Sequence, residues 1–169
     1  MERKGIVTIE GNPLTLIGNE IKVGDKAPEF VCLDKDLKEV KLGDYAGKIK
    51  VIASVPSLDT PVCDLEIKRF QSEATTLSGE IEVIFVSMDL PFAQKRFCES
   101  FDIDKVITLS DHRNADFGEK YGVLIKELRL LSRAIFVLDK NNNVVYVEYV
   151  GEITKHPNYD AVIDILKKY

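Results

Sequence analysis

A chain of 169 residues with 45% hydrophobic and 30% charged side chains has the make-up of an ordinary soluble domain and enough apolar material for one substantial core. Its net charge of -5 argues against a nucleic-acid or anionic-membrane surface, since both call for a basic patch. No apolar run approaches the roughly 18 residues that span a bilayer, and no signal-peptide core follows the charged start Met1-Glu2-Arg3-Lys4-Gly5, so one cytosolic domain over residues 1–169 is expected.

The elements follow in order. Short β-like runs, Val7 to Ile9 and Leu14 to Ile17, flank Gly11-Asn12-Pro13 and read as an N-terminal hairpin. Gly24-Asp25-Lys26-Ala27-Pro28 is a turn-rich connection. Phe30 to Leu33 and Glu39 to Leu42 read as a second, small strand pair around Asp34-Lys35-Asp36. Ile49 to Val55 is nearly all apolar, the pattern of a central strand covered on both faces. From Cys63 to about Leu77 the positions Leu65, Ile67, Phe70, Ala74 and Leu77 lay out a helix stripe, with Gly79 as its stop. Ile81 to Met88 is another buried strand. Pro91 to Phe101 is a second helix, which carries Cys98. Val106 to Leu109 is a short strand, Asn114 to Tyr121 a short helix before Gly122, and Ala134 to Leu138 a strand. Asp139-Lys140-Asn141-Asn142-Asn143 turns the chain back into Val144 to Val150 as a hairpin partner. Pro157 to Lys168 closes the chain with a helix. The order β-α-β-α-β-α-β-β-α implies an α/β fold with a mixed central sheet, helices on its faces and an antiparallel edge.

The three cysteines, Cys32, Cys63 and Cys98, are odd in number and too widely spaced for a secreted disulfide framework. No C-x-x-C occurs, and the two histidines, His112 and His156, lie at no metal-ligand spacing, which argues against structural zinc. Cys63 stands where a strand gives way to a helix. There it would meet free backbone N–H groups and the positive end of the helix dipole, both of which favour thiolate. Pro61 suits a helix start, and Thr60 places a hydroxyl three residues before the sulfur. A nearby cation would add to the effect. Arg129 and Arg133 are the candidates, with Arg133 better placed, at the mouth of the Ala134 to Leu138 strand, if that strand runs parallel to Ile49 to Val55. Cys98 is open to two readings. It is a helix-face core residue, or it is a second thiol that condenses with an oxidised Cys63. The latter needs both helices on one side of the sheet and a Cα separation of about 4.4–6.8 Å. Cys32, inside Phe30-Val31-Cys32-Leu33, reads as core.

These residues resemble the peroxiredoxins, and within them the bacterial-type thiol peroxidases. Pro-x-x-x-Thr-x-x-Cys stands intact as Pro56, Thr60 and Cys63. Ala27-Pro28-Glu29-Phe30, the segment Ser87 to Cys98, Arg113-Asn114-Ala115 and Ser132-Arg133-Ala134 match as well, as does the N-terminal hairpin. The resemblance implies a thioredoxin-like fold and reduction of hydroperoxides without metal, haem or flavin. It implies that Cys63 is the peroxidatic cysteine. It also implies that Thr60 and Arg133 bind peroxide and hold the thiolate, that Pro56 shields it, and that Cys98 resolves it. Thioredoxin is the implied reductant and a homodimer the implied assembly. The resemblance assigns no role to Cys32. The segment Leu124 to Leu131 is bulkier and more charged than the family's Gly- and Ala-rich linker. Two rival classes stand beside this reading: a disulfide reductase, which would need a C-x-x-C, and a redox sensor that uses the same cysteine pair without sustained turnover.

Overall fold

The computed structural model describes residues 1–169. Its centre is a seven-stranded mixed sheet. The apolar run that opens the active region forms β5 (Ile49–Ser54), and β6 (Ile81–Ser87) and β7 (Val106–Ser110) lie parallel beside it in turn. Parallel strands need crossovers, and α1 (Pro61–Ala74) and α2 (Pro91–Ser100) supply them. The pair β3 (Val31–Leu33) and β4 (Glu39–Lys41) extends the sheet beyond β7, as the small-pair expectation requires, followed by a 3-10 turn at Leu42–Tyr45. On the other side lie β10 (Ala134–Leu138) and the edge strand β11 (Val144–Tyr149), both antiparallel.

The sheet separates two cores because side chains alternate along a strand. Val51, Ala53 and Val55 face one way, onto Ile67 and Phe70 of α1, Phe97 and Cys98 of α2, and Val162 and Leu166 of α4 (Tyr159–Leu166). Ile52 faces the other way, onto Phe30, Phe136, and Phe117 and Tyr121 at α3 (Asp116–Lys120). The chain therefore has the α/β, thioredoxin-like layering expected of its sequence.

A second, four-stranded sheet is built on the N-terminal hairpin, β1 (Glu2–Ile9) and β2 (Asn12–Ile17). It is completed by two short strands that the sequence pattern does not announce, β8 (Leu124–Ile125) and β9 (Leu130–Leu131). They account for the unusual Leu124 to Leu131 segment: Leu124 and Ile125 pair with β2 of the hairpin, and Leu130 and Leu131 fold back onto β8, instead of forming a plain linker. Gly18 and Gly122 make this docking possible. Both have positive φ, and a Cβ on Gly18 would sit 1.9 Å from the Glu119 carbonyl oxygen. No helix is long and apolar enough to cross a membrane.

Candidate active site

Cys63 lies at the third residue of α1, because the helix begins at Pro61, two residues before the expected start. Thr60 is its N-cap. The Cys63 N–H donates to Thr60 Oγ1 (3.3 Å), and the Thr60 hydroxyl donates to the Ser57 carbonyl (3.1 Å). One side chain thus closes the helix end and fixes its own rotamer. The Cys63 side chain is fully buried.

Arg133 reaches this sulfur, but by a different route from the one expected. A parallel β10 would have put its N-terminal end beside the start of β5, at the opposite end of the strands from the Cys63 loop. The strand is antiparallel instead, with Ala134 opposite Ser54, so the residue before β10 stands beside the end of β5 and the loop that follows it. The Ser54 hydroxyl donates to the Ser132 carbonyl (2.6 Å) and locks this corner. Arg129, the other candidate, is exposed in the β8–β9 turn at positive φ.

The Arg133 guanidinium is 1% exposed and uses all three nitrogens. Nη2 donates to Cys63 Sγ (3.2 Å), Nη1 to Glu66 Oε2 (2.6 Å), and Nε to the Ile153 carbonyl (3.0 Å). That carbonyl is itself held in place. The Ile153 N–H donates to the Thr8 carbonyl, and Ile153 packs with Val7, Leu14, Leu16 and Ile125. The N-terminal hairpin therefore has a structural job at the site: it supports the acceptor that orients Arg133.

Glu66 is the residue that sequence reasoning missed. It is completely buried, and its Oε1 has no hydrogen-bond partner. Burial pushes its carboxyl up to about 7, against the opposing pull of Arg133. The signal was available in the register. Cys63, Glu66, Ile67 and Phe70 are the buried positions of α1, at i, i+3, i+4 and i+7. Leu65, which the expected stripe included, points out and is 55% exposed. A carboxylate on the core face of a helix calls for a cation across from it.

Pro56, Thr60, Val62, Leu130 and Arg133, residues on either side of Cys63 and its partner, line a cavity of about 420 Å³ with a largely apolar surface. Leu128 joins them, so the bulky segment does border the site.

Cys98 lies on the same face of the sheet as Cys63, in the same apolar cluster. All three thiols are free. Cys98 Sγ lies 3.8 Å from Thr108 Oγ1, and burial pushes its thiol up. The helix that carries it buries Pro91, Gln94, Phe97 and Cys98, and leaves Phe92 and Phe101 exposed. Cys32 sits on the opposite face, in the other cluster. Its thiol donates to Asp111 Oδ1 (3.6 Å), and burial raises it strongly. Its surroundings are those of a core residue.

Comparison with known proteins follows the same lines. Residues 22–163 match the family model described as Redoxin. The chain is 56% identical over 162 residues to a thiol peroxidase of Oceanobacillus iheyensis, covering 96% of this chain and 98% of that one. It is 54% identical over 161 residues to the thiol peroxidase of Bacillus subtilis, with coverages of 95% and 96%. Among solved structures, a peroxiredoxin-like protein from Aquifex aeolicus superposes with a TM-score of 0.90 at 51% identity, covering 98% of this chain and 96% of that one.

Proposed function

Since the chain belongs to the redoxin family and is a peroxiredoxin-type thiol peroxidase, we propose that it reduces hydrogen peroxide and organic hydroperoxides through Cys63, with Cys98 of the same chain as the resolving thiol and thioredoxin as the reductant. The observation that carries this reading is the 3.2 Å contact of Arg133 Nη2 with Cys63 Sγ at a helix N-terminus, beside a cavity.

The chemistry is an in-line displacement. The Cys63 thiolate attacks one peroxide oxygen, the O–O bond breaks, and the other oxygen leaves as water or an alcohol after taking a proton. Charge moves from sulfur to the departing oxygen. Donors fixed along that line stabilise the transition state more than the ground state. Arg133 is such a donor, and the Thr60 hydroxyl joins it by turning its proton from the Ser57 carbonyl to the peroxide. Pro56 closes one wall and keeps bulk water from the sulfur. The apolar lining accommodates the carbon chain of an organic hydroperoxide.

The product is a sulfenic acid on Cys63. Condensation with the Cys98 thiol gives a disulfide and water. A dithiol protein such as thioredoxin then reduces it by exchange. The disulfide requires Cys63 Sγ to leave Arg133 and Cys98 Sγ to leave Thr108. Placement of both helices on one sheet face supports the pairing. The assembly proposed is a homodimer.

The test is a coupled assay with thioredoxin, its reductase and NADPH. Sustained NADPH consumption at substoichiometric enzyme is the expected result. One equivalent of oxidation and no more would identify a redox sensor and overturn the peroxidase cycle.

A further inference from the structure

Between β6 and α2 runs the link Met88-Asp89-Leu90, and its carboxylate is not among the groups lining the Pro56–Arg133 cavity. Asp89 gathers three donors. Oδ1 accepts from the Ser57 hydroxyl (2.6 Å), and Oδ2 accepts from the Leu58 N–H (2.8 Å) and the Ser87 hydroxyl (2.7 Å). Two of these donors belong to the loop between β5 and α1, the loop that delivers Thr60 and Cys63.

The anchoring continues residue by residue toward the sulfur. The Ser57 carbonyl accepts from both the hydroxyl and the N–H of Thr60 (3.1 and 3.3 Å), and the Asp59 N–H donates to Ser57 Oγ (3.1 Å). Thr60 Oγ1 accepts from the Cys63 N–H. Asp89 is therefore the far post of a hydrogen-bonded chain that ends at the first turn of α1. It also faces the second cysteine's helix. Leu90, the next residue, is the N-cap of α2. Gln94, one turn before Cys98, donates from Nε2 to the same Ser87 hydroxyl oxygen (3.0 Å).

We propose that Asp89 is a positioning residue that holds the Cys63 loop in its peroxide-reactive geometry and thereby sets how the sulfenic acid is divided between disulfide formation and over-oxidation. The proposal rests on the reading of Cys63 and Cys98 as a redox pair. The sulfenic acid has two exits. With the Cys98 thiol it gives a disulfide and water. With a second hydroperoxide it is oxidised to the sulfinic acid, and the hydroperoxide is reduced to water or an alcohol. The first exit requires the first turn of α1 to open so that the sulfur can leave Arg133. The second requires the turn to stay closed. Hydrogen bonds to an ionised acceptor are the strong ones, and Asp89 contributes three on the closed side. Loosening this post slows the first oxidation, which needs Thr60 in place, and speeds the opening.

The experiment uses the full chain with all cysteines present. Asp89→Ala, Asp89→Asn and Ser57→Ala are each mixed rapidly with a series of hydrogen peroxide concentrations, quenched with a thiol-alkylating reagent and weighed as intact protein. Two quantities are read: the rate of first oxidation, and the ratio of sulfinic acid to disulfide at fixed peroxide. The loss of charge-assisted bonds predicts that Asp89→Ala lowers both by about tenfold. Ser57→Ala moves both in the same direction by less. Asp89→Asn, which keeps the shape and part of the bonding, falls between wild type and Asp89→Ala. Should Asp89→Ala fail to fold, the other two variants carry the same comparison. A ratio that stays at the wild-type value, or rises, in variants with lowered stability overturns the proposal and makes Asp89 merely structural. Wild-type protein that forms no Cys63–Cys98 disulfide overturns the cysteine pairing instead, so the two failures are distinguishable.

Discussion

Replacing Arg133 by methionine tests the site most directly. Methionine matches the length of the arginine stem and removes every donor. Three acceptors then lose their partner together: Cys63 Sγ, Glu66 Oε2 and the Ile153 carbonyl. Breaking a buried ion pair from one side costs about 3–5 kcal/mol, and the stranded Ile153 carbonyl adds roughly 1–3 kcal/mol. The ion-pair part has an escape route. With its carboxyl already at about 7, Glu66 takes up a proton and stops needing a cation. The measured loss is therefore expected near the lower end of that range, and it should shrink further as pH falls from 8 to 6. Urea unfolding at several pH values measures it. The peroxide step has no such escape. Loss of a fixed donor at a developing charge costs about 10²–10³ in rate, read by competition with a reporter peroxidase. Adding Glu66→Gln to Arg133→Met removes the buried carboxylate and should return about 2 kcal/mol of stability, because the two residues are in contact. It should return none of the rate. If the double variant recovers the peroxide rate, or if Arg133→Met alone stays within tenfold of wild type, Arg133 is a structural counterion and not a donor to the reaction.

Three further outcomes are expected. In the coupled assay Cys63→Ser should have no turnover, and Cys98→Ser should be oxidised once without being recycled; mass spectrometry of oxidised wild type should show a Cys63–Cys98 link and a free Cys32, and a link through Cys32 would contradict its place on the opposite face of the sheet. Thr60→Val removes both the cap to Cys63 N–H and the bond to Ser57, and should cost about 1 kcal/mol of stability and about 10² or more in peroxide rate, whereas Thr60→Ser should keep most of both; a loss in Thr60→Ser with none in Thr60→Val would make the methyl group, not the hydroxyl, responsible. For Glu66 the sign follows from a carboxyl raised to about 7 in the fold against about 4.3 in the unfolded chain. The protonated group's contribution is complete below about pH 4 and is lost as pH rises to about 7, a fall of up to about 3 kcal/mol, so the gap between wild type and Glu66→Gln should narrow or reverse over that window, and parallel stability–pH curves would refute the assignment.

What lay in local pattern was legible without tertiary structure. The apolar run of β5, the Thr-Pro helix start and the stripe on α1 are near-neighbour features, and they place Cys63 at a helix N-terminus because capping and periodicity act over a few residues. Membership of a peroxidase family was legible from the same stretch together with the Ser87 to Cys98 segment. The short strands β8 and β9 were not, since two residues carry no periodicity and pair only because the N-terminal hairpin presents an edge.

The second half of the site was decided by pairing across the chain. Arg133 comes to the sulfur because β10 runs antiparallel to β5, a choice of direction that the apolar sequence of either strand leaves open. The buried carboxylate of Glu66 is acceptable only because that pairing sets a guanidinium 2.6 Å away, and the clamp at Asp89 exists only because parallel β5 and β6 end side by side. The sequence by itself determined that a cysteine would stand at the N-terminus of a helix. Only the tertiary structure determined what surrounds it, because strand direction and register are set by long-range packing that no single segment encodes.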